Sequence, residues 1–417
     1  MPDYPPVTII VVNWNARAYL GDCLSSLLAQ DYALFKVVLV DNASTDGAAE
    51  WVRWQFPAVE VIENEQNVGF AAGNNIALRR ADTELVVLAN PDITAPPDWL
   101  RQLISPMLAD PTIGIAGCKV FYPDGRLQHA GGILRPPLAT AAYRGAQQAD
   151  TGQFEEMADV DYVIGAALAM RRSLGLLDEG YFLYYEEADL CARARRAGQR
   201  VVYVPQACLT HIESATTPKG DAVYLQRMHT SRWRYLLKHG DEAALLADTV
   251  PAEEAWLAQR HPVERLAAAW AYWETVRHLP AIWNDRVRDG AIPISQAGQQ
   301  QLGEALCHLH AMAWAGDETV WKAMRQIVTL SEPRFRSNFP LLGALIARFR
   351  AGWGSVAVRW YLRPLLAQQS AFNELLANQL HSQQVRLQMQ AEEQAALAQA
   401  IAELAAAVNA GTRRSKQ

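Results

Sequence analysis

Between Val7 and Ala89, short apolar runs alternate with segments of helical spacing, and that alternation leaves few folds open. Val7–Val12 is apolar and β-branched and ends at Asn13-Trp14-Asn15. Leu20, Leu24, Leu27 and Leu28 then recur on one helical face. Val37–Val40 is a second strand ending at Asp41-Asn42, and Ala48–Trp54 suits a helix. Val59–Glu63, a helix over Gly73–Arg80 and Leu85–Ala89 continue the series. Strand and helix in this order predict an α/β domain with a mostly parallel sheet and right-handed crossovers. In such sheets ligands sit outside the carboxyl ends of the strands. Asn13, Asp41 and Asp92 all fall just past a strand end, which packing alone does not require.

Asp92 is the sharpest case. Leu85–Ala89 runs into Asn90-Pro91-Asp92, and Pro91 stops the strand because it cannot donate to the ladder. A carboxylate held there suits a divalent metal against a diphosphate; its plain alternative is to cap a helix beginning near Pro96-Pro97. Asp41 suits the imide N–H of a pyrimidine, or a loop cap. Asn67 through Asn75 is a glycine-bearing turn entering a helix, whose amides can face an anion. Gly69 and Gly73 serve equally well for tight packing.

Farther on, Gly114–Phe121, Tyr162–Met170 and Val201–Val204 read as strands, the last ended by Pro205. Ala188–Ala197 is a short helix closed by Gly198. Glu186, Glu187 and Asp189 crowd just before it, so one carboxyl should titrate high and can act as a general base. Their ordinary alternative is to complement a helix dipole. Asp189 and Arg193 stand at i,i+4 and are expected to form a surface pair. A lone histidine such as His211 is more often structural than a ligand.

Composition narrows the class. The net charge of −6 disfavours a nucleic-acid partner, and five scattered cysteines fit reduced thiols in a cytosol. The first residues do not read as a signal peptide, and no run is long enough to span a membrane. Past residue 220 helices rich in tryptophan take over. Between Pro333 and Asn373 there is no acid, while Arg334, Arg336, Arg348, Arg350, Arg359 and Arg363 accompany Trp353, Trp360 and Tyr361. That pattern suits an anionic membrane surface or a solvated helical face. Leu376, Leu380, Gln383, Leu387, Gln390, Gln394, Leu397, Ile401, Leu404 and Val408 follow a 4-3 heptad seam, which predicts a coiled coil with a second copy or a partner helix; its alternative is a single amphipathic helix folded back on the body.

Taken together, these motifs resemble a family. Val11 through Asn15, Val40 through Gly47, Asn67 through Asn75, Asn90-Pro91-Asp92, Gly165-Ala166-Ala167 and Tyr184 through Leu190 occur in the order of the inverting glycosyltransferases of family 2. Within it they look most like rhamnosyltransferase-type enzymes of bacterial surface-polysaccharide and O-antigen assembly. The resemblance implies a GT-A fold, which is Rossmann-like with a mostly parallel central sheet. It is followed by an α-helical region and a C-terminal coiled-coil-like helix. The expected divisions are 1–220, 221–332, 333–372, 373–410 and a disordered tail 411–417. It also implies a sugar carried on dTDP or UDP, Mn²⁺ or Mg²⁺, and a saccharide acceptor of the lipid-linked kind at the cytoplasmic face of a membrane. Asn13, Asn15, Asp41, Asn42, Asn67, Gly69, Asn74, Asn90 and Asp92 would bind the donor. Gly165, Ala166, Tyr185 and Glu186 would shape the sugar or acceptor pocket. Asp92 and His211 would hold the metal, because galactofuranosyl-type members carry a metal-binding histidine at a similar remove. Glu187 would be the base. Two positions depart from the family pattern: Asn90 and Glu187 stand where aspartates are usual. They leave open a non-catalytic scaffold with a transferase-like head. A sugar nucleotidyltransferase would instead carry a glycine- and arginine-rich loop after the first strand, where this chain has Asn13-Trp14-Asn15.

Overall fold

The computed structural model describes residues 4–212 and 222–314. The segments at 333–372, 373–410 and 411–417 lie outside them, as do the membrane-surface and coiled-coil readings.

The described chain runs β1 (Val7–Asn13), α1 (Arg17–Leu28), β2 (Phe35–Asp41), α2 (Ala48–Gln55), β3 (Glu60–Glu63), α3 (Phe70–Leu78) and β4 (Leu85–Ala89). It continues through β5 (Ile93–Thr94), α4 (Trp99–Ala109), β6 (Ile113–Phe121), β7 (Leu127–His129), β8 (Gly132–Arg135), β9 (Thr140–Tyr143) and β10 (Ala158–Asp159). β11 (Ala167–Arg171), α5 (Glu186–Arg196) and β12 (Arg200–His211) complete the sheet domain. Helices follow: α6 (Ala222–His239), α7 (Glu242–Ala244), α8 (Val250–Ala258), α9 (Pro262–Arg288) and α10 (Gln296–Trp314).

The main sheet has the order β10-β12-β6-β11-β4-β1-β2-β3. β3, β2, β1, β4, β6 and β12 share one direction, while β11 and β10 oppose it. The α/β, mostly parallel expectation therefore holds. Alternation along each strand explains the layering. Val7, Ile9 and Val11 face a core shared with Leu20, Leu24 and Leu27 of α1 and Leu100, Leu103 and Ile104 of α4. Ile10 and Val12 face the other side, against Ala71, Ala77 and Leu78 of α3 and Leu190 and Ala194 of α5. Each fully buried leucine contributes about 1.5–3 kcal/mol, so both faces resist a slip in register. The helices after β12 bury Trp233, Tyr272, Leu302 and Leu306 around a third core. Among the described residues, no helix is long and apolar enough to cross a membrane.

Some expected boundaries moved. α3 starts at Phe70, not Gly73, because Gly69 adopts φ +87° and turns the chain directly into the helix. The expected strand Tyr162–Met170 shrinks to Ala167–Arg171; Tyr162 makes only an isolated bridge to Gly132. β12 does not stop at Pro205. The ladder shifts between Val204 and Cys208, so the proline sits in a bulge where no donor is needed and the strand runs on to His211. Asp92 does not cap a helix either. It precedes β5, and Asp98 occupies the N-cap position of α4.

Candidate active site

The carboxyl ends of β1, β2 and β4 lie side by side, with Asn13 opposite Asp41 and Val11 opposite Ala89. Because β11 runs the other way, its beginning arrives at this same edge. The Asn90 amide donates to the Ala166 carbonyl at 2.8 Å, which brings Gly165 and Ala166 beside the Asn-Pro-Asp turn. A cavity of about 430 Å³ opens there, within the usual size for a small-molecule site. Of the expected residues, Asn42, Asn67, Gly69, Asn90, Asp92, Gly165, Ala166, Tyr185, Glu186, Glu187 and His211 line it. Asn13, Asn15, Asp41 and Asn74 do not.

Asn13, Asp41 and Asn74 are buried behind the wall, and Asn15 is exposed on the β1–α1 loop. Asn13 Nδ2 donates to Asp41 Oδ1 at 2.7 Å, and the Ser44 amide donates to Asp41 Oδ2 at 2.9 Å. Asn15 Oδ1 accepts from the Thr45 amide at 2.8 Å, tying the β1–α1 loop to the β2–α2 loop. Asn74 is buried and donates to the Phe70 carbonyl within α3. In the wall itself, Asn42 Nδ2 donates to the Gly69 carbonyl and Asn67 Oδ1 accepts from the Gly69 amide, each at 2.9 Å. Gly69 has no room for a side chain: a Cβ there would lie 2.5 Å from the Phe182 carbonyl oxygen.

The extension of β12 delivers His211. Its pairing with Ile93 sets the ring against Asp92, with Nε2 3.2 Å from Asp92 Oδ1 and 3.3 Å from Asn90 Nδ2. On the other side of the ring, Nδ1 lies 2.7 Å from Gln128 Oε1, an acceptor buried on β7. With Nδ1–H donating to that oxygen, the Nε2 lone pair faces the carboxylate. Two acceptors that close suit a cation between them. Two cis ligands of an octahedral ion at about 2.1 Å would stand roughly 3 Å apart. A buried acceptor on the far nitrogen is also the usual support of a ligating histidine. Asp92 and His211 therefore fit a divalent ion, with Asn90 alongside.

Glu186 and Glu187 form the first turn of α5 and do not precede it. Tyr184 and Tyr185 enter that turn with φ of 72° and 66°, two successive left-handed residues that are not glycine. Such backbone costs of order 1–3 kcal/mol per residue and gathers at functional sites. Burial pushes the Glu187 carboxyl up to about 7, opposed by backbone amides including those of Gly165 and Ala188. Burial, with Glu187 beside it, pushes Glu186 well above the usual carboxylate range. Glu186 Oε2 and Glu187 Oε2 are both buried without a hydrogen-bond partner. A carboxyl near 7 is matched to taking a proton at neutral pH.

Sequence reasoning missed Gln128, Tyr143, Tyr162, Phe182, Tyr224 and Arg227 in this site. Arg227 comes from α6, lies 4.7 Å over the Phe182 ring and lines the cavity. Nothing local to these residues marked them, since only the fold brings them to the strand ends.

Over 312 residues the chain is 30% identical to the O-antigen biosynthesis protein RfbC of Myxococcus xanthus, covering 63% of this chain and 24% of that protein. It is 27% identical over 267 residues to the N-acetylglucosaminyl-diphospho-decaprenol L-rhamnosyltransferase of Mycobacterium tuberculosis, covering 57% of this chain and 85% of that protein. An uncharacterized Sinorhizobium fredii protein, y4gI, is 29% identical over 233 residues, or 52% of this chain. The chain thus spans only 24% and 25% of the lengths of the Myxococcus and Sinorhizobium relatives. A crystal structure of GalNAc-T7 with UDP, GalNAc and Mn2+ is 17% identical, covering 69% of this chain and 55% of that one, with a TM-score of 0.49. Residues 8–174, which span nearly all of β1 through β11 and the Asn90-Pro91-Asp92 turn, match the family model of glycosyl transferase family 2.

Proposed function

We propose that the chain is an inverting glycosyltransferase that moves a hexose, rhamnose foremost, from dTDP or UDP to a hydroxyl of a lipid-linked saccharide. The observation that carries this reading is a single cavity lined by both Glu187 and the Asp92–His211 pair. One group is matched to receiving a proton and the other to meeting a diphosphate. The names of the Myxococcus and Mycobacterium relatives support the substrate class.

In this reading the nucleotide lies along the Asn42–Asn67–Gly69 wall. Asp41, 3% exposed and held by Asn13 and the Ser44 amide, orders the strand ends on which the base rests. Asp92 and His211 would hold Mn²⁺ or Mg²⁺, which when bound offsets charge on the leaving diphosphate. Arg227 offers the phosphates a guanidinium from α6. Glu187 takes the proton of the acceptor hydroxyl as that oxygen attacks the anomeric carbon opposite the leaving group, so the configuration inverts. Tyr143, Tyr162, Tyr184 and Tyr224 supply aromatic walls around the sugars.

The test is release of nucleoside diphosphate from dTDP-rhamnose and from UDP-sugars, with Mn²⁺ and a lipid-linked saccharide. Product from the wild type and none from Asp92→Ala supports the reading. No release from any donor by the wild type sinks it.

A further inference from the structure

A buried cluster of opposite charges lies against α5. Asp178, Asp189 and Asp289 bring carboxylate oxygens close enough to hold a metal ion. The place is already taken. Lys238 Nζ lies 2.6 Å from Asp178 Oδ2, 2.6 Å from Asp189 Oδ1 and 2.8 Å from Asp289 Oδ2, and Lys238 is fully buried. Asp189 is therefore no surface residue. It is 0% exposed and receives Arg193 Nε at 2.8 Å besides Lys238. His239 adds a third contact, with Nε2 2.8 Å from Asp189 Oδ1. Arg196, which can only donate, reaches His239 Nδ1 at 2.9 Å, so the ring proton sits on Nε2 and points at Asp189. Burial alone would push the Asp189 carboxyl up, but His239, Lys238 and Arg193 overrule it and hold it well below the usual range.

The same helix grips the other end of the segment. Arg234 Nη2 donates to both Asp178 oxygens at 2.8 Å, and its guanidinium lies against Gly180, where a Cβ would overlap it. Ser231 Oγ donates to the Leu183 carbonyl at 2.9 Å. Tyr224 meets Tyr184 edge to face and Tyr235 packs tilted against Tyr185, with ring centres 5.2 and 5.8 Å apart. Residues 224, 231, 235 and 238 recur along one face of α6. Between these grips lie the two left-handed tyrosines and then Glu187. A strained turn persists only where its surroundings over-determine it.

We propose that α6 braces the Tyr184–Tyr185 turn and the first turn of α5, with Lys238 and Ser231 as positioning residues that set the place of the Glu187 carboxylate. The proposal rests on Glu187 being the base, but its test separates the two. In the full chain, Lys238→Met should cut kcat by about 10²-fold with KM for dTDP-rhamnose nearly unchanged. Hydrogen exchange at the amides of residues 183–189 should quicken at least roughly tenfold, since local opening sets that rate. Should Lys238→Met fail to fold, Ser231→Ala carries both readings at a smaller size, about fivefold. Glu253→Gln serves as the comparator. It weakens the buried Arg232–Glu253 pair, whose hydrogen bonds go to Leu138, His229 and Tyr272 and not to residues 183–189, so it should lower the melting temperature without either change. Unchanged exchange at 183–189 in both α6 variants overturns the brace. So does a loss of kcat in Glu253→Gln equal to that in Ser231→Ala. If the wild type releases no nucleoside diphosphate, the transfer reading fails and the exchange measurement alone decides on the brace.

Discussion

Glu187→Gln should make the protein slower and sturdier together. Burial raises the carboxyl from 4.5 to about 7. The folded state therefore holds its proton more tightly than the unfolded chain does. Stability from that proton is full below about 4.5 and is lost as pH rises through about 7. Holding the proton that much more tightly is worth on the order of 3 kcal/mol. Glutamine keeps the shape and never ionises. At pH 8 the variant should unfold about 3 kcal/mol later than the wild type, which is several degrees of melting temperature. Below pH 4.5 the gap should close. Relief of Glu186, whose carboxyl Glu187 also pushes up, acts in the same direction. Turnover should meanwhile fall by about 10²–10⁴, the usual worth of a general base. Wild-type kcat/KM should rise with pH through a limb near 7. Calorimetry at pH 5 and pH 8 with a nucleoside diphosphate release assay reads all of this. A variant that melts no higher than wild type at pH 8 refutes the claim that Glu187 is held in a desolvated place. Full turnover removes it from the role of base.

Other outcomes test the remaining walls. Gln128→Leu removes the acceptor on His211 Nδ1 and should weaken Mn²⁺-dependent UDP binding about 10–100-fold by titration calorimetry; equal affinity would detach Gln128 from the site. Arg227→Ala should raise KM for the nucleotide donor about tenfold or more, the worth of a charged hydrogen bond, with melting temperature unchanged because Arg227 holds no carboxylate among the described residues. Gly69→Ala should cost about 2 kcal/mol or more in urea denaturation, since φ there is +87° and Phe182 leaves no space. A neutral result would mean that the Phe182 backbone yields easily.

What could be read in advance follows from how far apart in sequence the causes lie. Leu85–Ala89 was legible because a buried central strand carries its own signature, and Pro91 marks its end. Glu186 and Glu187 were legible as a charge conflict because they are neighbours. The support of His211 was not, since Gln128 is 83 residues away and joins it only when β12 passes through a proline that normally ends a strand. Asp189 shows the opposite error. Its i,i+4 partner Arg193 was correctly paired, yet local spacing says nothing of depth, and Lys238 lies 49 residues on. Asp41 is intermediate: its place at a strand end was plain, but its service to Asn13 and Ser44 behind the wall needed the neighbouring loops.

Lys238 also bears on what the protein asks of its surroundings. Three aspartates that converge in many proteins would recruit an ion from solution and depend on its supply. Here the counter-charge is covalently attached, so it cannot be chelated, exchanged or diluted away. A chelator that strips the Asp92–His211 position would leave the frame around Glu187 standing. An ion held at Asp92 and His211 in the proposed way would therefore come and go without disturbing that frame.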